Sequence, residues 1–202
     1  MTQARTSTTQ ARGDRTRARL LEAAVQAFAA KGFHATSTRD IATAAGLSPA
    51  AVYVHHRSKE ELLHAIAVRG HEVILEALTE ALRADSTPAE RVAAAVRTYD
   101  LFHARSHTRA RVINYELAAL TEEHFREVAG LRRAIDTVMR DVVEEGVRSG
   151  DFDTPDAAKT ATALLSLVID LARWYRDDGS WTPESLADFY ADLALRVVGA
   201  RP

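Results

Sequence analysis

The chain has 202 residues, and not one of them is cysteine. That absence excludes a disulfide framework, a thiolate metal site and a cysteine nucleophile, and it is natural for a reducing compartment, so a cytoplasmic location is expected. Long apolar runs are missing too. Nowhere do about 18 apolar residues follow one another, and Met1–Arg19 is polar, so neither a membrane span nor a signal peptide is expected. The chain also lacks alternating Val/Ile/Thr stretches, while Ala, Leu, Arg and Glu abound; these are helix formers, and the expected fold is all-α with about nine helices. A glycine-rich phosphate loop, a nucleophile elbow and paired carboxylates with a catalytic partner are absent as well, so neither an enzyme nor a cofactor is expected.

Proline is scarce but well placed. Apart from terminal Pro202, each proline follows a hydroxyl residue: Ser48-Pro49, Thr87-Pro88, Thr154-Pro155 and Thr182-Pro183. A hydroxyl caps free backbone N–H groups, and proline at the first helical position lacks an N–H that would be orphaned anyway, so four helix starts are expected. Glu90, three residues after Thr87, completes a capping box.

Net charge is only −2, but its distribution is uneven. Residues 1–69 hold ten Lys and Arg against five Asp and Glu, a local +5, which leaves −7 for the remainder. Such a basic end either meets a polyanion or is a solvated tail, since Arg5, Arg12, Arg15, Arg17 and Arg19 lie close together.

A motif decides between them. Leu21, Ala24, Val25 and Phe28 recur at helical spacing up to Lys31-Gly32, a helix-closing pair. Ser37–Ala45 and Pro49–His55 then read as two short helices joined by Gly46-Leu47-Ser48, with Ile41, Ala45, Leu47 and Val52 as the small core that fixes their angle. This is the pattern of a helix-turn-helix whose second helix enters a major groove.

The run from Thr36 through Leu63 resembles the DNA-binding domain of TetR-family transcriptional regulators over about the first third of the chain. The resemblance implies that Thr36, Ser37 and Arg39 hold phosphates or reach a base edge, and that Tyr53, His55 and Lys59 clamp the backbone. Base readout falls to the start of the recognition helix, Ser48, Pro49, Ala50 and Ala51, where few hydrogen-bonding groups stand. Thymine methyl contacts, Arg39 and DNA shape are then expected to carry specificity. Two positions depart from the family pattern. Val54 replaces an aromatic, and His56 stands where an apolar ring packs, so a neutral, hydrogen-bonded histidine at the core edge is expected there.

The expected division is a flexible basic tail over 1–14, a DNA-binding domain over 15–62, and a ligand-binding and dimerisation domain over 63–202. In the last, helices are expected from Ser58 to about Ala84, from Pro88 to Ser106, from Arg109 to Leu120 and from Thr121 to Ser149, followed by two with clean apolar stripes. Those two also carry apolar residues off the stripe. A dimer interface is expected through Leu164, Leu167, Leu171, Tyr175, Leu186, Tyr190, Ala191 and Ala194, unless the stripes only close the subunit's own core.

The segments Tyr115–His124 with Leu131-Arg-Arg133, and Ala172–Gly179 with Pro183–Arg196, resemble ligand domains of TetR-family regulators of fatty-acid and steroid catabolism. Those regulators respond to acyl-coenzyme A thioesters. The resemblance implies that Tyr99, Phe102, His103, Tyr115, Phe125 and Met139 line the effector site, unless these are simply core residues, with Arg173 and Trp174 at its mouth. The expected partners are an operator in double-stranded DNA, a small-molecule effector such as an acyl-coenzyme A thioester, and a second copy of the chain; no membrane is expected. The alternative is a metal-responsive regulator using His103 and His107, four residues apart, with Glu116 and His124 nearby in sequence.

Overall fold

A computed structural model describes residues 2–83 and 85–201, with side chains from residue 13 onward. The side chains of residues 1–12, and with them most of the expected basic tail, lie outside the described residues. Nine α-helices, one 3-10 turn and no strand occur among the described residues. In chain order these are α1 (Thr2–Ala35), α2 (Thr38–Ala44), α3 (Pro49–His55), α4 (Lys59–Leu82), α5 (Pro88–Arg105), α6 (His107–Tyr115), the turn Leu117–Ala119, α7 (Glu122–Ser149), α8 (Ala157–Trp174) and α9 (Pro183–Val197). Two compact units emerge. One reaches to Ala67 and includes Val112–Phe125; the other comprises Val68–Arg111 and the chain from Arg126 onward.

In the first unit, Leu20, Ala24, Val25 and Phe28 of α1 join Ile41, Ala42, Val52, Leu62, Leu63 and Ile66 in one core, closed by Val112 and Ile113. Burying each large apolar side chain contributes about 1.5–3 kcal/mol. Gly32 takes φ 75° and ψ 164°, a conformation that side-chain-bearing residues avoid, and breaks the regular course of α1. The expected capping box of Thr87 and Glu90 forms at α5, and a second, not read from the sequence, forms at α2, where Ser37 and Asp40 satisfy each other's backbone N–H. Gly46, at φ 64°, closes α2: its N–H returns to the Thr43 carbonyl and that of Leu47 to the Ala42 carbonyl.

In the second unit, α5 packs along α9 and α8. The pairs Arg97–Asp188 and Arg105–Glu184 show α5 and α9 to be antiparallel. The core between these helices and α7 includes Leu78, Val92, Val96, Met139, Val143 and Val168. Asp100 also lies inside, with none of its surface exposed and no hydrogen-bond partner for either carboxylate oxygen among the described residues.

Three hydroxyl-proline starts hold, at α3, α5 and α9. The fourth moves. α8 begins at Ala157 because Asp156 caps it, accepting the Lys159 N–H and pairing with the Lys159 ammonium, while the Thr154 hydroxyl turns to that of Thr160. The helix expected over Arg109–Leu120 ends at Tyr115; Leu117 turns inward, and Tyr115 keeps about half its surface in solvent.

Most of the residues expected at a dimer interface belong to the subunit's own core. Leu164, Leu171, Tyr175, Leu186 and Ala194 are all buried within the protomer. Of the expected set Leu167 is exposed and Tyr190 and Ala191 are half-buried; the other large apolar side chains that α9 leaves exposed are Phe189 and Val197.

Candidate nucleic-acid interface and effector pocket

α3 is seven residues long and buries one of them, Val52. Its N-terminus is capped by Ser48, which accepts the Ala51 N–H, and Pro49 fills the first helical position. Ser48, Pro49 and Ala50 are exposed and Ala51 is half-buried, so this end presents a small, mostly methyl surface. Tyr53 is exposed, with its phenol 3.1 Å from the Thr38 hydroxyl, which ties α3 to the first turn of α2. Arg39 and Ser37 are exposed on that same turn, and His55 is half-buried at the end of α3. Val54 is 80% exposed, an apolar side chain that no described residue covers.

Two residues expected at phosphates do other work. Thr36 is buried, and its hydroxyl donates to the carbonyls of Gly32 (2.8 Å) and Ala27 (3.1 Å). Lys59 points its ammonium at the carbonyls of Phe33 (2.8 Å), Thr36 (2.8 Å) and His34 (3.2 Å), 4.4 Å from the centre of the Phe33 ring. An ammonium has three donors, and here all three satisfy carbonyls left open where α1 ends. His56 is buried, and burial, with Arg17 nearby, holds it below the ordinary imidazole value. It is therefore neutral as expected, but its Nε2 has no hydrogen-bond partner among the described residues. Arg19, grouped by the sequence with the basic end, is a structural tie that sequence reasoning missed: its guanidinium donates to the Ala45 carbonyl and fastens α1 to the turn before α3.

In the second unit, a cavity of about 250 Å³ is lined by Tyr99, His71, Ile135, Leu165 and Ile169, with Arg132, Arg133, Asp136, Thr162 and Ser166 adding polarity. Tyr99 and His71 are each 4% exposed. Burial raises the Tyr99 phenol, so it stays protonated and can donate. His103 sits behind, its Nδ1 2.9 Å from the Tyr99 carbonyl, and burial pulls its pKa down to about 4. An imidazole, a phenol, two guanidinium groups and the Asp136 carboxylate thus border a space whose remaining wall is largely apolar.

Tyr99 is the residue of the expected effector set that lines this cavity. Met139 is sealed in the core and Phe102 packs against that core, while Tyr115 and Phe125 belong to the first unit and are each about half-exposed. Arg173 is exposed and chelated by Asp170 on its own helix, at 2.7 and 2.8 Å. Trp174 lines a separate cleft of about 510 Å³ with Trp181, Leu186, Phe189 and Tyr190. The arginines that line the cavity are Arg132 and Arg133, not Arg173; the signal was two adjacent arginines on a helix whose stripe is otherwise apolar. The metal alternative finds no support: His103 and His107 each turn Nδ1 to a backbone carbonyl, and no group of three metal-ligating side chains stands together among the described residues.

A capped, glycine-jointed helix pair in the basic N-terminal third of the sequence, and a larger helical unit with a polar-rimmed cavity, are the features of a DNA-binding regulator of transcription. The model for bacterial regulatory proteins of the tetR family matches residues 20–66, and that for a tetracyclin repressor-like C-terminal domain matches residues 85–198. The HTH-type transcriptional repressor KstR2 of Rhodococcus jostii is 30% identical over 182 residues, covering 89% of each chain. A crystal structure of a bacterial regulatory protein in the tetR family from Rhodococcus RHA1 superposes with a TM-score of 0.88 at 41% identity, covering 93% of this chain and 98% of that one. AibR, solved in complex with isovaleryl coenzyme A and operator DNA, shares the fold with a TM-score of 0.82 at 24% identity, covering 92% of this chain and all of that one. The chain belongs to the TetR family of transcriptional regulators. No described helix is long and apolar enough to cross a membrane.

Proposed function

We propose that this chain is a cytoplasmic repressor that binds a palindromic operator as a homodimer and leaves it when an acyl-coenzyme A thioester enters the cavity at Tyr99. One observation carries the effector class: an apolar space bordered by Arg132 and Arg133 suits a ligand with an apolar end and an anionic end. The fold neighbour solved with isovaleryl coenzyme A and operator DNA, and the relative named a repressor, support the reading. On the DNA side, Arg39, Tyr53 and His55 meet phosphates or base edges while Ser48–Ala51 enters the groove. The pairing surface draws on the exposed apolar residues Leu167 of α8 and Phe189 and Val197 of α9, so that two α3 helices face successive major grooves roughly 34 to 36 Å apart. Ligand releases DNA by the difference in its affinity for the two conformations.

The test is displacement. A duplex selected on the protein from a random-sequence pool is followed by fluorescence anisotropy while acyl-coenzyme A thioesters of increasing chain length are added. The reading expects release by at least one thioester and none by free coenzyme A. An equal and null response to the whole series would remove the effector assignment.

A further inference from the structure

The recognition helix has little packing of its own. With Val52 as its one buried residue, α3 has too little packing to fix its angle, and its seat depends on what grips the chain at either end. Toward its N-terminus the grip is the α2 turn. Beyond its C-terminus three residues lead into α4: His56 is buried, the Arg57 N–H donates to the Glu61 carboxylate (2.6 Å), and the Ser58 hydroxyl accepts the Glu61 N–H (3.1 Å). Lateral motion of the first turn of α4 is therefore passed to α3.

That first turn is itself latched. The Glu60 carboxylate accepts the Thr121 N–H at 2.9 Å and lies 2.8 and 3.0 Å from Nδ1 of His124, in the first turn of α7. His64, one turn along α4, stacks on His124 with ring centroids 3.7 Å apart and planes 5° from parallel. Glu60 and His124 are mostly shielded, with side-chain exposures of 17% and 26%. Burial by itself raises Glu60, but the Thr121 N–H and His124 outweigh it and hold the carboxyl below its ordinary value. All four residues lie in the first unit. Helix packing alone would be served by apolar side chains; a partly shielded carboxylate with a stacked histidine pair fixes direction as well as distance.

We infer that Glu60, His64 and His124 are positioning residues for DNA recognition: their latch sets the angle at which α3 is presented without touching DNA. Its loss tilts α3, which disturbs base readout more than phosphate contact, because specific contacts need a single geometry and phosphate contacts tolerate several.

The experiment compares Glu60→Gln, His124→Leu, His124→Gln and the double variant E60Q/H124L with the wild type. Each is titrated on the duplex the wild type selects from a random pool and on an unselected duplex of equal length, with circular dichroism confirming the folded fraction. The expected result is about a tenfold loss of affinity for the selected duplex in E60Q and H124L, little change on the unselected one, no further loss in the double variant, and partial rescue in H124Q, whose amide can still donate to Glu60. Unchanged affinity for the selected duplex in E60Q would overturn the inference even if H124L fails to fold. So would an equal loss on both duplexes, which is the mark of lost phosphate contacts or general destabilisation. A wild type that enriches no duplex would remove DNA recognition itself, and the latch's role with it.

Discussion

Replacing Asp100 with asparagine should abolish a pH dependence of stability that the wild type carries. Asp100 is enclosed in the second unit with no partner for either oxygen among the described residues, and burial lifts its pKa from 3.8 to about 7. Between those two values the folded state holds a proton that the unfolded chain releases. Stability from this group is therefore full below about pH 4, falls as pH rises and is lost once pH passes about 7. A shift of about three pH units at about 1.4 kcal/mol each sets a ceiling of roughly 4 kcal/mol. Relaxation and water entry around a buried carboxylate trim the expected loss to about 2–3 kcal/mol. His103 has the opposite slope, because burial lowers its pKa from 6.5 to about 4 and its contribution falls as pH drops through that interval. The difference between wild type and D100N isolates Asp100. Urea unfolding followed by circular dichroism at pH 5, 7 and 8.5 should show the variant gaining on the wild type by about 1–2 kcal/mol across the series, the rest of the loss falling below pH 5. Parallel pH curves for the two proteins would refute the reasoning.

Lys59→Met should lower stability by about 1–3 kcal/mol, since three carbonyls lose their donor, yet leave the salt slope of DNA binding unchanged. Arg39→Ala should do the reverse, keeping the thermal midpoint while reducing that slope by about one if Arg39 neutralises a phosphate. Gly146→Ala should destabilise by about 1–3 kcal/mol in chemical unfolding, because an added Cβ would stand 2.2 Å from the ring of buried Phe152. Phe189→Glu should shift the chain from dimer to monomer in sedimentation at micromolar concentration; an unchanged mass would place the pairing surface elsewhere.

What was legible in the sequence follows from how local each cause is. The turn at Gly46 and the caps at Ser48, Thr87 and Thr182 depend on a few neighbouring residues, and all appear where their patterns place them. Thr154-Pro155 misled because Asp156, two residues on, is a charged cap that holds the Lys159 N–H. Burial at helical period identified the α8 and α9 stripes but not what they pack against, so Leu164 and Leu186, expected at a dimer interface, lie in the chain's own core, the alternative the stripes also allowed. Thr36 and Lys59 have the side chains that phosphates attract, and the same donors suit open carbonyls. Which use wins depends on Gly32 breaking α1 beside them. The cavity was hardest, because Tyr99, His71 and Arg132 come from three helices far apart in the chain, and no spacing rule links them.

The central claim is that α2 and α3 read DNA in sequence-specific fashion from a paired protein. Selection of duplexes from a random pool, followed by anisotropy titration on the winning sequence, tests it most directly. The account requires an inverted repeat with half-site centres about one helical turn apart, or a multiple of it, and an even number of chains bound per duplex. Binding that ignores sequence and symmetry, or one chain per duplex, would contradict it.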